Sequence, residues 1–268
     1  MPFPRVTLRW LVVSVLTVLA LSSGGTAEGE AAPRKAAVTA LPTDTDVDYQ
    51  LGGAVQRPSN VGIIARDRTE APAEGRYNIC YINGYQTQDS EKGFWKRHRD
   101  LLLHRADGTL VVDEGWGEWL FDIRTSAKRA KLAKIVGRWI SGCARDGFDA
   151  DEFDNFDSFT RSEGLMTREQ ALAFAKMLIR RSHAAGLAVG QKNLAGFDGT
   201  KIGFDYVVSE SCARYDECDR YVQDFGDQVL MIEYRRGEFK EACEEFGELV
   251  PIVLRDRDLS PKFKPSYC

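Results

Sequence analysis

Residues 148–193 read FDADEFDNFDSFTRSEGLMTREQALAFAKMLIRRSHAAGLAVGQKN, and they contain a strand, a helix and a second strand in succession. Thr167 and Gln170 form a capping box at the start of the helix. The apolar residues of the helix recur at spacings of three and four, and Gly186 ends it. Two strands joined through a helix form a right-handed βαβ unit, so this stretch predicts a parallel sheet.

The same alternation of strands and helices extends over the chain from about residue 46. Several strand candidates are near-continuous apolar runs, which is typical of strands buried on both faces. Eight such strands predict a compact α/β domain that folds as a single (β/α)8 TIM-type barrel. An open doubly wound sheet is the alternative, although no G-x-G-x-x-G follows a strand. The predicted strands are Val47–Leu51, Val61–Ala65, Tyr77–Ile82, Phe148–Phe153, Ala188–Lys192, Tyr206–Glu210, Val229–Glu233 and Val250–Leu254.

The composition is that of an ordinary globular protein. The chain has 268 residues, 43% of them hydrophobic and 28% charged, with a formal net charge of −4. This acidic balance argues against a nucleic-acid-binding protein, which would present a basic face. Only three histidines are present, so a site built on several histidine ligands is nearly excluded.

The beginning of the chain has the pattern of a secretory signal. Arg5 and Arg9 precede the apolar run Trp10–Leu21, and Gly25-Thr26-Ala27 is a plausible cleavage site. An uncleaved anchor helix is the alternative, but the run is shorter than the roughly 20 residues that span a bilayer. The signal predicts a secreted protein. The predicted organisation is a signal peptide at 1–27, a disordered linker at 28–45, a barrel domain at 46–258 and a C-terminal tail at 259–268.

Six cysteines follow the signal, and an even number in an exported chain indicates disulfides. Their spacing lacks the paired C-x-x-C of a zinc site. The best single pair is Cys212 with Cys218, which enclose a short loop, while the remaining connectivity stays open. Buried free thiols are the alternative. The six are Cys80, Cys143, Cys212, Cys218, Cys243 and Cys268.

Polar side chains follow six of the predicted strands. Because the active site of a barrel is assembled at the carboxyl ends of its strands, these residues are the candidates for chemistry. Tyr81 and Tyr234 are the aromatic residues at strand ends, where they could stack on sugar rings. The six strand ends are Tyr81-Ile82-Asn83-Gly84-Tyr85, Asp154-Asn155-Phe156-Asp157, Gln191-Lys192-Asn193, Ser209-Glu210, Glu233-Tyr234 and Arg255-Asp256.

The densest cluster of acids lies around the fourth strand, with five carboxylates at Asp149, Asp151, Glu152, Asp154 and Asp157. Some of them could be solvated or cap a helix, and we expect this of at least one of Asp149 and Asp151. A calcium loop is a second alternative, but the D-x-[DN]-x-[DN]-G pattern is missing. The third is catalysis, because crowded carboxylates raise one another's pKa, so that one donates a proton while another stays ionised.

Glu210, two strands further along, is the natural partner of this cluster. Two carboxylates that flank a cleft, without a set of metal ligands or a cofactor fingerprint, are what hydrolysis of a glycosidic bond requires. We therefore expect neither a cofactor nor a metal. Lys192 is expected to neutralise part of the acidic cluster or to bind a sugar hydroxyl, with a structural ion pair as the alternative.

Taken in order, several motifs resemble glycoside hydrolase family 114, which is typified by endo-α-1,4-polygalactosaminidases. The resemblance runs from about residue 46 to 256. The chain departs from it in the first strand, where a common Trp is replaced by Asp48 or Tyr49, and its loops are short. The motifs are Tyr49-Gln50-Leu51, Cys80-Tyr81, GEWL at 117–120 with Asp122-Ile123-Arg124, Gly147-Phe148-Asp149, EFDNFD at 152–157, GLAVGQKN at 186–193, ESCARYDEC at 210–218 and Glu233-Tyr234.

The resemblance implies a TIM-type barrel that hydrolyses α-1,4-linked galactosamine-containing polysaccharide. It implies Asp154 as nucleophile or base and Glu210 as general acid. We expect the residues that bind substrate to be Tyr81, Asp122, Asn155, Asp157, Lys192, Asn193, Glu233 and Tyr234.

The expected partner is a cationic galactosamine polymer, which a cleft lined by acids would attract. The acids expected there are Asp149, Asp151, Asp157 and Glu233. We expect no nucleic-acid partner, no stable membrane association after cleavage of the signal, and a monomer. Two alternatives remain open: a barrel that binds polysaccharide without cutting it, and a metal-dependent phosphodiesterase, against which the lack of histidine at strand ends weighs.

Overall fold

A computed structural model describes residues 1–2 and 38–268 of the chain. The predicted signal peptide beyond its first two residues lies outside the described residues, as does the predicted linker up to residue 37. No helix in the described part combines the length and the apolar character needed to cross a membrane.

Eight parallel strands form a TIM-type barrel, as the sequence predicts. Each pairs with the next barrel strand along the chain, and every observed boundary lies within two residues of the predicted one. The barrel strands are β1 (Asp46–Tyr49), β2 (Val61–Asp67), β3 (Tyr77–Asn83), β6 (Ala150–Asp154), β7 (Ala188–Lys192), β8 (Tyr206–Glu210), β9 (Val229–Glu233) and β10 (Ile252–Leu254).

The strands are apolar on both faces because they separate two hydrophobic cores. On β3, Tyr77, Ile79 and Tyr81 belong to the cluster inside the barrel, whereas Cys80 and Ile82 belong to the cluster between the sheet and the helices. Successive side chains of a strand point to opposite faces, which explains this alternation. The same rule decides below which carboxylates reach the barrel interior.

A buried ion pair joins the first and last barrel strands. Among the described residues, β1 and β10 are not paired as strands. Arg255, at the end of β10, donates from Nη1 to Oδ1 of Asp48 and to the carbonyl of Tyr49 on β1. Arg57 donates to the other oxygen of Asp48. Asp48 therefore holds the seam of the barrel rather than contributing to the cleft.

The helix predicted to begin at the capping box of Thr167 and Gln170 and to end at Gly186 is present. In α2, Thr125 accepts a hydrogen bond from the backbone nitrogen of Lys128, and Gly147 ends the helix with φ of 93°. In α3, Thr167 and Gln170 form the capping box. No helix follows β1 or β2 among the described residues. The helices are α1 (Lys92–Trp95), α2 (Ser126–Asp146), α3 (Arg168–Ala185), α4 (Cys218–Phe225) and α5 (Arg236–Phe246).

The long connection between β3 and β6 carries the main irregularity of the fold. It contains α1, α2 and a small antiparallel hairpin formed by β4 (Val112–Asp113) and β5 (Glu118–Trp119). The hairpin contributes to the wall of the cavity described below. It has no counterpart in the predicted strands, because each of its strands has only two residues.

Three disulfides account for all six cysteines: Cys80–Cys143, Cys212–Cys218 and Cys243–Cys268. The predicted pairing of Cys212 with Cys218 is present. The predicted C-terminal tail at 259–268 carries a short strand, since β11 (Ser266–Tyr267) pairs antiparallel with β10, and Cys268 is bonded to Cys243 on α5. The last residues therefore belong to the folded domain.

Replacing both Cys243 and Cys268 by Ala is expected to lower the free energy of unfolding by about 3 kcal/mol, because the bridge closes a loop of 25 residues. Urea unfolding followed by circular dichroism measures this. Faster cleavage of the tail by a protease is expected in the same variant. An unchanged unfolding midpoint would show that β11 is held by its strand pairing alone.

Candidate active site

A cavity of about 580 Å³ lies at the carboxyl ends of the barrel strands. Strands β1, β2, β3, β6, β7 and β8 contribute residues to it, and so does the β4–β5 hairpin. Seven of its lining residues are acidic and three are basic, so the cavity is electronegative. The acidic residues are Asp67, Asp113, Glu118, Asp154, Asp157, Glu210 and Asp258, and the basic ones are Arg161, Lys192 and Arg257.

Lys192 lies at the centre of the site. Its Nζ is 3.1 Å from Oδ1 of Asp154, 3.2 Å from Oε2 of Glu210 and 3.1 Å from Oε1 of Glu152. It also donates a hydrogen bond of 3.1 Å to the hydroxyl of Tyr49. The lysine side chain is only 2% exposed, so one buried ammonium group holds three carboxylates together.

The second oxygens of the two cleft carboxylates each accept a hydrogen bond from a tyrosine. The hydroxyl of Tyr81 donates to Oδ2 of Asp154 at 2.6 Å, and the hydroxyl of Tyr234 donates to Oε1 of Glu210. Burial, followed by the nearby negative charge, raises the pKa of both hydroxyls well above the ordinary value, so they stay protonated and act as donors. Each carboxylate is thus held between Lys192 and a tyrosine.

The pKa values of Asp154 and Lys192 move in the directions expected of a strong ion pair. Burial alone would raise the pKa of Asp154, but Lys192, Tyr81 and the backbone nitrogen of Asn155 outweigh it and lower the pKa below its usual value. Burial would lower the pKa of Lys192, but the surrounding carboxylates raise it well above the ordinary lysine value. At neutral pH Asp154 is therefore ionised and Lys192 is charged.

Three residues with positive φ follow the charged strand ends directly: Asn155 (62°), Asn193 (51°) and Ser211 (58°). Side-chain hydrogen bonds support two of these turns. Asn155 donates to Oδ1 of Asn83, and Oδ1 of Asn193 accepts from the backbone nitrogen of Glu210 at 2.9 Å. Left-handed backbone at non-glycine residues is strained and concentrates at functional sites. Here each such turn leads the chain away immediately after a residue of the charged cluster.

A further carboxylate, Glu118, reaches the cavity from the hairpin. Its Oε2 accepts a hydrogen bond of 2.9 Å from Nδ2 of Asn83, the last residue of β3. Burial raises the pKa of Glu118 to about 7, although the hydrogen bond from Asn83 opposes the shift. Asn83 thus connects Glu118 to Asn155 and so to the backbone beside Asp154.

Arg161 binds two further acids that line the cavity, Asp157 and Asp113. It donates to both carboxylate oxygens of Asp157 at 2.9 Å and to Oδ1 of Asn155 at 3.0 Å. Its Nε lies 2.7 Å from Oδ2 of Asp113 on the hairpin. Arg161 therefore fixes the hairpin to the turn that follows β6.

Of the ten residues predicted for the site, eight line one cavity. They come from five different strand ends and are separated by up to 153 positions between the first and the last. The eight are Tyr81, Asp154, Asn155, Asp157, Lys192, Asn193, Glu210 and Tyr234.

Asp122 does not line the cavity, which corrects its prediction as a residue that binds substrate. Its carboxylate is 1% exposed and accepts hydrogen bonds from Arg124 and Lys128 around the first turn of α2. Burial would raise the pKa of Asp122, but these two cations lower it to about 2. Asp122 organises the start of the helix instead.

Glu233, Asp149 and Asp151 do not line the cavity either. On β9 the alternation places Tyr234 at the cleft and Glu233 outside the barrel, where it is fully buried and accepts from the backbone nitrogen of Ala213. Asp151 likewise faces outward from β6 and accepts from Ser182. Asp149 precedes β6 at the opposite end of the barrel. The expectation that these acids line the cleft is therefore wrong. Glu233 and Asp151 point outward because side chains alternate along each strand, and Asp149 lies at the end of the strand away from the cavity.

Sequence reasoning missed Glu118, Asp113 and Trp116, which come from the hairpin rather than from a strand end. Trp116 is 63% exposed at the hairpin turn and lines the cavity. Tyr49 also lines the cavity and was not predicted, because the resemblance indicated only that the first strand departs from the family pattern. Tyr49 is the last residue of β1, so the strand-end rule could have found it.

The described residues contain two groupings of His, Cys, Asp or Glu compact enough for a metal ion. Each includes a disulfide pair, Cys80 with Cys143 or Cys212 with Cys218. Sulfur in a disulfide is not available as a thiolate, which is the form of cysteine that ligates metals. Neither grouping lies among the residues that line the cavity.

Comparisons with known proteins point to one family. The profile of the glycoside hydrolase family GH114 matches residues 28–267. The crystal structure of Aspergillus fumigatus Ega3 in complex with galactosamine is similar, with a TM-score of 0.71 and 21% identity over 87% of this chain and 99% of that one. The glycoside hydrolase domain of PelA from Pseudomonas aeruginosa has a TM-score of 0.56 and 14% identity over 82% and 97%. No curated protein matches the sequence significantly.

Proposed function

The chain belongs to glycoside hydrolase family GH114 and is a glycoside hydrolase, and we propose that it is exported and cleaves α-1,4-linked galactosamine-containing polysaccharide with two carboxylates. The observation that carries the mechanism is the pair formed by Asp154 and Glu210, which one buried lysine holds at the base of an open cavity. The family favours glycosidic hydrolysis over a phosphodiesterase.

In the proposed mechanism, Asp154 is the nucleophile and Glu210 is the general acid and base. Asp154 is suited to attack because its lowered pKa keeps it ionised. Its carboxylate would attack the anomeric carbon while Glu210 donates a proton to the departing glycosidic oxygen. Water would then attack the glycosyl ester, give its proton to Glu210 and release Asp154. Each turnover consumes one water and regenerates both side chains.

The separation of the pair supports a mechanism that retains the anomeric configuration. Oδ1 of Asp154 and Oε2 of Glu210 each lie within 3.2 Å of Nζ of Lys192, so these two oxygens are separated by no more than twice that distance. Inverting enzymes hold their carboxyl groups roughly 6.5–9.5 Å apart to admit a water molecule, whereas retaining enzymes use about 5–5.5 Å. The lysine therefore holds these two oxygens no farther apart than the lower edge of the inverting range.

The charge of the cavity supports a cationic substrate. Seven acids and three cations line the cavity, so acidic groups predominate. Two of the cations, Lys192 and Arg161, are already paired with carboxylates. A partly deacetylated galactosamine polymer carries ammonium groups, which an electronegative cleft attracts. Galactosamine is also the ligand named for the similar Ega3 structure.

The remaining cavity residues are proposed to bind sugar. Tyr81 and Tyr234 present aromatic rings beside the catalytic pair, while Asn155, Asp157 and Asn193 offer amide and carboxylate groups for sugar hydroxyls and amines. Export is supported by the three disulfides, which form and persist in oxidising compartments. We propose that the enzyme acts as a monomer.

Incubation with an α-1,4-linked galactosamine polymer tests this function. Shorter oligosaccharides are expected, and NMR of the first products is expected to detect the α-anomer before mutarotation. Polymers of graded deacetylation extend the test, since cleavage should increase with the number of free amines. Intact polymer after prolonged incubation, with binding retained, would instead indicate a barrel that binds polysaccharide without cutting it.

Glu210→Gln is expected to lower the rate of polymer cleavage on the order of 10³-fold, because the amide cannot protonate the leaving oxygen. A synthetic aryl galactosaminide whose phenol leaves without protonation separates the roles of the two carboxylates. With that substrate, formation of the glycosyl-enzyme is expected to remain fast in Glu210→Gln, giving a burst of phenol. Equal losses on both substrates would argue that Glu210 is not the acid.

A further inference from the structure

Glu152 lies one layer below the proposed catalytic pair, inside the barrel. It is on β6 two residues before Asp154, so the two side chains point to the same face of the strand. In the strand register Glu152 faces Tyr81 on one side and Gly190 on the other. It is fully buried and does not line the cavity, so it cannot touch a substrate held there.

The hydrogen bonds of Glu152 all involve one of its two oxygens. Oε1 accepts from the hydroxyl of Tyr49 at 2.5 Å and lies 3.1 Å from Nζ of Lys192. Oε2 is buried without a hydrogen-bond partner among the described residues. A buried carboxylate with an unpartnered oxygen is expensive when charged and much less so when neutral. Burial raises the pKa of Glu152 to about 7, although Lys192 opposes the shift.

The titratable groups around Glu152 include several acids and tyrosines but a single cation. The titratable neighbours are Tyr49 from β1, Tyr81 from β3, Asp154 on its own strand, Lys192 from β7, and Tyr206 and Glu210 from β8. Lys192 is the only cation among them, and it faces three carboxylates. An ionised Glu152 would therefore compete with ionised Asp154 for the same ammonium group and draw it away from the cavity.

We propose that Glu152 is a positioning residue that holds a proton while the enzyme works, so that the charge of Lys192 is reserved for Asp154 and its ammonium group stays within reach of Glu210. This inference rests on the proposed function, since it assumes that these two residues are the catalytic pair. Ionisation of Glu152 pulls Lys192 away from the pair, and the site loses the geometry that brings both carboxylates to one sugar. Activity then falls as the pH rises through the ionisation of a group that never contacts substrate.

The test is the pH profile of kcat/KM for Glu152→Gln, which fixes the neutral form of the side chain. The wild-type enzyme is expected to keep about a tenth of its maximal activity one unit above the pKa of Glu152. At acidic pH the Glu152→Gln variant is expected to be active, and it is expected to keep this activity to a higher pH than the wild-type enzyme does. The alkaline limb of the profile is the range in which activity falls as the pH rises. If this limb reported the ionisation of Glu210 alone, Glu152→Gln would remove the negative charge of Glu152 and move the limb to lower pH instead.

Asp151→Asn is the matched control. Asp151 is the adjacent buried carboxyl on the outer face of β6, where burial raises its pKa to about 8. Its replacement is expected to leave the profile unchanged, because its side chain contacts Ser182 and not Lys192. The inference would be overturned if the alkaline limb of Glu152→Gln stayed where it is in the wild type, or if kcat/KM of the variant fell by the same factor at every pH.

Tyr49→Phe provides a second variant in case Glu152→Gln does not fold. Loss of the hydroxyl removes a hydrogen bond that favours ionised Glu152, so the alkaline limb is expected to move to higher pH. A limb that stays in place or moves to lower pH contradicts the proposal. A wild-type enzyme without activity on galactosamine polymer would refute the proposed function itself, whereas an active wild type with unshifted variants would refute only the role of Glu152.

Discussion

Asp154→Asn is expected to lower kcat/KM on galactosamine polymer on the order of 10⁴-fold, as removal of the group that attacks the substrate does in other hydrolases that form covalent intermediates. The amide has almost the shape of the carboxylate but cannot form the glycosyl ester. Its single carbonyl oxygen can keep one of the two hydrogen bonds that the carboxylate accepts, from Tyr81 on Oδ2 or from Lys192 on Oδ1, and its volume is unchanged, so the barrel should fold. Initial rates of reducing-end formation measure the loss, and circular dichroism checks the fold.

Asp151→Asn is again the matched control, because it makes the same chemical change three residues earlier on the same strand. Its side chain faces the helices rather than the cavity. We expect wild-type rates in this variant. Activity in Asp154→Asn above a hundredth of the wild-type value would remove Asp154 from the role of nucleophile, whatever the family implies.

The barrel could be predicted because its strands are long apolar runs and its helices carry their own stop signals. VLMIE at β9 and the capping box of Thr167 and Gln170 depend only on neighbouring residues. The β4–β5 hairpin depends on pairing between two strands of two residues each, which leaves no periodicity to detect. Glu118 and Trp116 reach the cavity on that hairpin, so no local pattern could place them there.

The candidate site could be predicted from strand ends, but the direction of each side chain could not. Glu233 and Tyr234 are adjacent in sequence, yet the pleat sends one behind the barrel and the other into the cleft. The same alternation separates Asp151 from Asp154. Counting carboxylates around β6 therefore overestimated how many acids this strand contributes to the cleft. Knowing one inward-facing residue on the strand would have identified the others.

Lys192→Met is expected to lower the free energy of unfolding by about 3–5 kcal/mol at pH 7.5, and to abolish activity. Methionine fills a similar volume, so packing changes little, but the three carboxyl groups lose the cation that contacts all of them, and Asp154 loses its counter-charge. Removing one partner of a buried ion pair leaves uncompensated charge, which is the source of the large cost. Lys131→Met is the control, because Lys131 is 65% exposed and pairs with an equally exposed Asp100, where a salt bridge contributes little.

The pH dependence of this loss separates charge from packing. Lys192 lowers the folded-state pKa of Asp154 below its unfolded value, so the stability from this pair is present above the unfolded pKa and disappears as the pH falls through the folded one. Without Lys192, burial raises the pKa of Asp154, whose carboxyl group can then be accommodated by taking up a proton. The difference between wild type and Lys192→Met, measured by urea unfolding, should therefore narrow from pH 7.5 to pH 4.5. An equal difference at both pH values would mean that the lysine acts through its packed methylene groups and not as the cation that organises the site.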